Sequence, residues 1–441
     1  MVLSIKQSMH DNNFYGDVIL RIIYSFLFYL LMPFILLRLW WRGFKNPIVR
    51  KRIKERLGIF DCPKNFQHGI WIHSVSVGET ITAIPLVRAL FDLYPDTPIV
   101  ITTMTATGSE RVKAAIGEKA FHVFVPYDAP YFVKRFFKNV KPKLTIIMET
   151  EIWPNIIFYS KKFHVPVILA NARLSEKSLH QYLKVKKFIR GVLKNIAVIA
   201  AQTEIDKINF QKLLANDYDN KIILTGSLKF DMPLSPSVQE AGNLLRHKLG
   251  ENRKIFIAAS THEGEEVQIL SALKKIKKEV ANVLLILVPR HPERFKEVYT
   301  LCKKQNFKII TRSSKQNCTA NTDIFFADSM GELLTFYAAS DVAFVGGSLV
   351  KHGGHNFLEP AIFKLPIISG RHVFNFKHMV DMFVAANAIT IVNNSEELAK
   401  MSVKFFLDDD LCFESGIKAY NFVLQNRGAL EKHLQIIAQF L

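Results

Sequence analysis

The 441-residue chain is poor in cysteine, and its four thiols, Cys62, Cys302, Cys318 and Cys412, are scattered without a CxxC pair. That argues against a disulfide framework and a cysteine-based zinc module, and fits reduced thiols in a cytosolic setting. Pro/Gly/Ser-rich tracts and internal repeats are also missing, so neither extended disorder nor a solenoid is expected. No P-loop, no GxGxxG after the first predicted strand and no GxSxG elbow occurs, which counts against an NTPase, a dehydrogenase and a serine hydrolase. Acidic residues are in deficit: 39 Asp and Glu stand against 58 Lys and Arg, a net charge of +19. A surplus of that sign suits nucleic acid, anionic lipid or phosphorylated substrates, and charge alone does not choose among them.

A hydrophobic share of 49% with 22% charged residues is that of a globular chain, and its length points to two domains. Residues 18–41, VILRIIYSFLFYLLMPFILLRLWW, hold an uncharged core from Ile22 to Leu37 between Arg21 and Arg38. As a helix the whole stretch reaches about 36 Å, against about 30 Å of bilayer hydrocarbon and about 24 Å for the core alone. It can span if its flanks take part, with the arginine stems reaching toward the interface. Arg42, Lys45, Arg50, Lys51, Arg52, Lys54 and Arg56 follow, whereas Lys6, Asp11 and Asp17 precede. This bias places the bulk of the chain in the cytoplasm. A long stretch followed by basic residues, with no small-residue cleavage site, reads as an uncleaved anchor rather than a signal peptide. An interfacial helix is the alternative.

From about residue 68, short apolar runs alternate with longer amphipathic stretches: GIWIHSV, PIVITT, FHVFVP, KLTIIM, PVILAN, AVIAAQ and KIILTG. A pause at residues 231–240 precedes KIFIAAS, NVLLILV, FKIIT, DIFFAD, DVAFVGG, LPIIS and ITIV. Buried runs of this kind separated by helices predict two doubly wound parallel sheets, whose ligands bind in the crevice at the carboxyl ends of the strands. The expected organisation is an anchor over 1–45, a first Rossmann-like domain over 46–230, a linker over 231–253, a second Rossmann-like domain over 254–414 and a tail over 415–441.

The segments at strand ends carry the candidate chemistry. In IWIHSVSVGET, Glu79 opens a helix after a small-residue turn, where it serves either as the negative charge a helix start favours or as a carboxylate for ligand chemistry. In METEIWPN, Glu149 and Glu151 can order a polyhydroxy ligand, anchor an arginine of the cleft or fix the loop as a structural ion pair. Arg173 in NARLS and Lys229 in TGSLKFD are single cations just past strands. LVPRHPERF ends a strand in Pro289 and Arg290, a guanidinium suited to phosphate or carboxylate. Met330, Gly331 and Glu332 lie at a predicted helix start, where backbone N–H groups are free for a base or sugar edge. DVAFVGGSLVKHGGHNFLEP combines a strand, four glycines and a helix opening near Asn356, with Glu359 suited to ribose hydroxyls: an anion site in outline. His352 and His355 with Glu359 have the residue types of a metal-ligand set, but the two histidines lie three apart on a glycine-rich turn rather than a helix, which counts against metal binding.

Taken in order, HSVSVGE, TTMTATGSERV, VPYDAP, METEIWPN, NARLS, TGSLKFD, LVPRHPERF, DSMGEL and GGSLVKHGGHNFLEP resemble the motif set of the Kdo (3-deoxy-D-manno-oct-2-ulosonic acid) transferases. The resemblance runs from about residue 17 to the C-terminus. It implies an α/β fold of GT-B type, two facing Rossmann-like domains behind a membrane-anchor helix, with terminal helices crossing back to the first domain. It implies inverting transfer of Kdo from CMP-Kdo to a lipid A precursor at the bacterial inner membrane, without cofactor or metal. Anionic inner-membrane lipids are then partners, and nucleic acid is not. On that resemblance Glu79 falls at the general base, and Pro289, Arg290, Met330, Gly331, Glu332, Asn356, Phe357, Leu358 and Glu359 at the CMP contacts. Lys229 and Arg173 become candidates for the Kdo carboxylate or an acceptor phosphate. A membrane-associated GT-B enzyme using a UDP-sugar and a lipid acceptor is the alternative. A nucleic-acid binder explains the charge but leaves Glu79 and the glycine turn idle, and no base-stacking module is found.

Overall fold

The computed structural model describes residues 2–45, 52–214, 220–232 and 234–441, with side chains of the first helix described over 19–41. Each of the predicted runs forms a strand. The first sheet contains β1 (Ile70–His73), β2 (Ile99–Thr103), β3 (Phe121–Phe124), β4 (Leu144–Met148), β5 (Val167–Ala172), β6 (Val198–Ala201) and β7 (Ile222–Leu224). Its order is β3-β2-β1-β4-β5-β6-β7, every neighbour parallel. The second contains β8 (Ile255–Thr261), β9 (Leu284–Pro289), β10 (Ile309–Thr311), β11 (Ile324–Phe326), β12 (Val342–Val345), β13 (Ile367–Gly370) and β14 (Thr390–Val392). Its order is β10-β11-β9-β8-β12-β13-β14, again all parallel.

Helices cover both faces of such sheets, so their central strands are buried throughout and read as unbroken apolar runs. Every residue of β1, β2, β4, β5, β8, β9 and β12 is buried. Aromatics fill the first core, with Trp71 and Phe136 rings 4.4 Å apart. Phe256, Phe326 and Phe344 fill the second.

Strand order decides which loops meet. In the first sheet the order reverses between β1 and β4, so the turns after these two strands, HSVSVGE and METEIWPN, are neighbours. In the second it reverses between β8 and β12, making STHEGEE and GGSLVKHGGHN neighbours. These are the switch points at which open parallel sheets bind ligands.

The chain divides into two compact units, Met1–Met232 with Arg427–Leu441, and Pro233–Asn426. Residues 236–249, within the stretch read as linker, form the helix Pro236–Leu249 of the second unit. The helix Asp409–Gln425 belongs to the same unit, and Ala429–Ile437 to the first. Asp231 fixes that return, accepting from the backbone N of Gly428 at 2.8 Å and of Leu430 at 2.7 Å.

The N-terminal helix runs Val2–Lys45 with Pro33 inside it. Its segment Ile19–Trp41 is long and apolar enough to cross a membrane, with a mean hydropathy of 2.1 and 11% burial. One edge docks on the first unit. The Tyr24 hydroxyl donates to Asp128 at 3.0 Å, Asn155 Nδ2 donates to the Ser25 hydroxyl at 3.1 Å, and Met32 packs with Tyr127 and Ala129. Of the charges that orient the helix in the sequence, the side chains of Lys6, Asp11, Asp17, Arg42, Lys45, Arg50 and Lys51 lie outside the described residues.

Candidate active site

In the first unit, Ser76 caps the helix Val77–Leu93 and Glu79 completes a capping box. The Ser76 hydroxyl accepts from Glu79 N at 3.2 Å. In return, Val75 N donates to Glu79 Oε2 at 2.7 Å and Ser76 N to Oε1 at 3.2 Å. The helix-start role left open by the sequence is realised as this capping duty, because the N3 position faces back onto the turn. Two N–H donors fill one lone pair on each oxygen and leave the others for a ligand. The side chain is only 6% exposed. Burial pushes its carboxyl above the ordinary range, the Val75 and Ser76 donors oppose this, and Glu149 adds to it.

Glu149 and Glu151 follow β4, the neighbour of β1. Glu149 takes a left-handed backbone (φ 55°), and its carboxylate pairs with Lys229 at 3.2 Å. Of the roles the sequence left open for Glu149, this is the ion pair, and Lys229 is not a lone cation. Glu151 accepts from Trp153 Nε1 at 2.6 Å, and burial, with Glu79 and Glu149 nearby, raises its pKa to about 6. The Trp153 ring meets His73 edge-on at 5.2 Å. Arg173 is exposed, and its carbonyl accepts from the Thr150 hydroxyl.

Three features here were not legible as site residues. His73 is fully buried, shares a 2.9 Å hydrogen bond with Thr102 through Nδ1, and its pKa is lowered by burial to about 3. Asp128 accepts from the backbone N of Asn155 and Ile156 at 3.0 and 2.8 Å, holding the start of the helix Pro154–Lys162. Arg56 is 2% exposed, donates to the Met104 carbonyl at 2.7 Å, and its Nε has no hydrogen-bond partner. Arg56 and Asp128 border a cavity of about 620 Å³ whose other walls include Phe28, Leu39 and Trp153.

In the second unit, two arginines of LVPRHPERF differ in state. Arg294 is spent on Glu266, at 2.7 and 3.2 Å. Arg290, just past the β9 residue Pro289, is exposed and has no ion pair among the described residues. Glu359 feels its charge: burial raises the Glu359 carboxyl, and the Asn356 amide and Arg290 pull it back. Asn356 Nδ2 donates to Glu359 at 3.1 Å and its Oδ1 accepts from Leu358 N at 3.1 Å. Phe357 and Leu358 are buried, so only their backbone is available to a ligand. Met330 is exposed and Gly331 has φ +87°, just before the helix Leu333–Ala338. Glu332 is held by Arg312, with contacts from 2.7 Å, which lowers its carboxyl below the ordinary range.

The glycine turn brings histidines together. His262 and His355 place their Nε2 atoms 2.8 Å apart, and the His352 ring stacks on His262 at 4.1 Å. Burial and neighbouring cationic groups disfavour the charged form of two of these rings, lowering His262 to about 4 and His355 to about 3. Among the described residues, no group of three or more His, Cys, Asp or Glu is arranged to hold a metal ion.

Comparison with known proteins gives these features a family. Residues 51–232 match the family model described as 3-Deoxy-D-manno-octulosonic-acid transferase (kdotransferase), and residues 242–422 the one described as Glycosyl transferases group 1. A 3-deoxy-D-manno-octulosonic acid transferase of Haemophilus influenzae is 42% identical over 96% of this chain and 99% of its own. One of Rickettsia felis is 34% identical over 84% of this chain and 79% of its own. A solved glycosyltransferase from Rickettsia africae ESF-5 is similar in fold, with a TM-score of 0.53 at 17% identity over 85% of this chain and 98% of that one. Two parallel-sheet Rossmann-like units of GT-B-like type, with a relative 42% identical over 96% of the chain and the family model over residues 51–232, place the chain in the Kdo transferase family, glycosyltransferases of lipopolysaccharide biosynthesis.

Proposed function

We propose that the enzyme transfers Kdo from CMP-Kdo to a lipid A precursor, with inversion, at the cytoplasmic face of the bacterial inner membrane. The observation that carries the donor reading is Arg290. It stands exposed and, among the described residues, makes no ion pair, while its motif neighbour Arg294 is consumed by Glu266, and Glu359 and the glycine turn lie beside it. An unpaired guanidinium is suited to a nucleotide phosphate, and a half-buried carboxylate to ribose hydroxyls. Pro289, Met330 to Glu332 and the backbone of Asn356 to Leu358 complete the nucleotide contacts in this reading.

In the first unit Glu79 acts as the general base. It takes the proton from an acceptor hydroxyl as that oxygen bonds to the anomeric carbon, and the bond from this carbon to the CMP phosphate breaks with its electron pair leaving on CMP. Arg290 offsets the charge that develops on the departing phosphate. Glu151, Arg173 and the Lys229–Glu149 pair order the sugar and acceptor groups. The helix Val2–Lys45 holds the enzyme at the membrane, and the basic residues after it meet the anionic leaflet.

The test is a transfer assay with CMP-Kdo and a tetra-acylated lipid A precursor, resolved by mass, with CMP and UDP as competitors. Product with the mass of added Kdo, and inhibition by CMP, is expected. Inhibition by UDP alone would assign the site to another nucleotide sugar.

A further inference from the structure

The glycine turn of the second unit is already filled by an anion of the chain itself. Gly347, Ser348 and Leu349 present three consecutive backbone N–H groups, the kind of nest that holds a phosphate in glycine-rich loops. All three point at Glu265, which follows β8 and opens the helix Glu265–Glu279. Gly347 N donates to Glu265 Oε2 at 2.6 Å; Ser348 N and Leu349 N each donate to Oε1 at 2.9 Å. A fourth donor, His262 N, reaches Oε2 at 3.1 Å. Each carboxylate oxygen thus accepts two N–H groups, an arrangement only the anion satisfies fully. Glu265 is 0% exposed.

The same carboxylate ties the loop to His262, whose ring faces His355. A Cβ on Gly347 would lie 3.1 Å from His355 Nε2 and 3.4 Å from His262 Cδ2, so the glycine lets the loop backbone pass close to both rings. Gly346 has no room either: a Cβ there would meet the Ser260 and Ala259 carbonyl oxygens at 2.7 and 2.8 Å.

We infer that Glu265 is a positioning residue for the donor. Bound by four backbone N–H groups, it presets the turn Gly346–Leu349 and the facing rings of His262 and His355 in the conformation that receives the nucleotide sugar, and it denies the nest to a phosphate. The donor's phosphate charge is then left to Arg290. This inference rests on the reading of the second unit as the CMP-Kdo site.

Glu265→Gln keeps the shape but turns an NH₂ group toward two of the four N–H donors, which forces the turn to move. In the detergent-solubilised full-length enzyme it should raise the KM for CMP-Kdo about 10-fold or more with kcat changed less than about 3-fold. Glu265→Asp keeps the charge on a shorter arm and should fall between Gln and wild type. An unchanged KM in folded Glu265→Gln, with activity lost only in proportion to unfolded protein, would reduce Glu265 to a stability residue and overturn the inference. If neither variant folds, hydrogen exchange on the unmodified enzyme without nucleotide gives the answer. The amides of Gly347, Ser348 and Leu349 should be protected like those of β12, and exchange as fast as an open loop would refute the contact. Since exchange needs no donor, protection together with no turnover of CMP-Kdo by the wild type would indict the donor reading alone.

Discussion

Exchanging one oxygen of Glu79 for an amide nitrogen separates its capping duty from proton transfer. In Glu79→Gln the amide oxygen can still accept from Val75 N or Ser76 N, but the NH₂ group faces the other donor, so one of two hydrogen bonds is lost. That bond is worth about 0.5–1.5 kcal/mol, and the helix-end charge adds about 0.3–1 kcal/mol. For a unit of this size the melting midpoint falls about 2–4 °C per kcal/mol, so the variant should melt several degrees lower and remain folded at assay temperature. A glutamine cannot take the acceptor proton, and turnover should fall by about 10²- to 10⁴-fold. CMP affinity, which draws on residues of the second unit, should be unchanged. Because burial holds the Glu79 carboxyl above the ordinary range and the base must be ionised, wild-type kcat should rise with pH through a midpoint above that of a free glutamate. A folded Glu79→Gln enzyme with near-normal turnover would refute the reasoning and leave Glu79 as a helix cap.

Arg290→Ala should weaken CMP binding by about 1.5–3 kcal/mol, roughly 10- to 150-fold, by calorimetry, and Glu359→Ala should weaken it through the ribose. Unchanged affinity in both would move the nucleotide elsewhere. Burial raises Asp128 from 3.8 to about 6, so this carboxyl binds its proton more tightly folded than unfolded. Its contribution is therefore present below about pH 4 and lost as pH rises through about 6. The melting gap between wild type and Asp128→Asn should accordingly narrow from pH 4.5 to 7.5, and a widening gap would reverse the sign. A chain beginning at Asn46 should be extractable without detergent, yet melt lower because Asp128 and Asn155 lose Tyr24 and Ser25. An undiminished detergent requirement would mean that the N-terminal helix is not the membrane anchor.

The strands were readable because a parallel strand buried on both faces must be apolar at every position, a property of local sequence. So were the turns after β1, β4, β9 and β12, since each is a break in that pattern. Partners across the fold were not readable. Glu149 lies 80 positions before Lys229, and Glu265 more than 80 before the amides of Gly347, Ser348 and Leu349, and nothing in either local pattern names the other. One signal was present and passed over. STHEGEE follows the first strand of its sheet as HSVSVGE follows the first strand of the other, a carboxylate opening a helix after a small-residue turn. In one unit that carboxylate caps its own helix; in the other it reaches the next strand's loop.

The return of the chain at Arg427 has a consequence for how the protein is made. His433, on the last helix, accepts from Asn171 N at 2.9 Å within the first unit, and Ala429, Ile436 and Ile437 join its core. During synthesis the second unit, one contiguous stretch, can fold as soon as it leaves the ribosome. The first unit emerges earlier yet stays unfinished until residues 427–441 are made. Its exposed Asn171 and Asp231 wait through the synthesis of an entire domain, with the apolar N-terminal helix already available to the membrane. A stop introduced at Arg427 should therefore damage the N-terminal unit first, leaving the second unit intact.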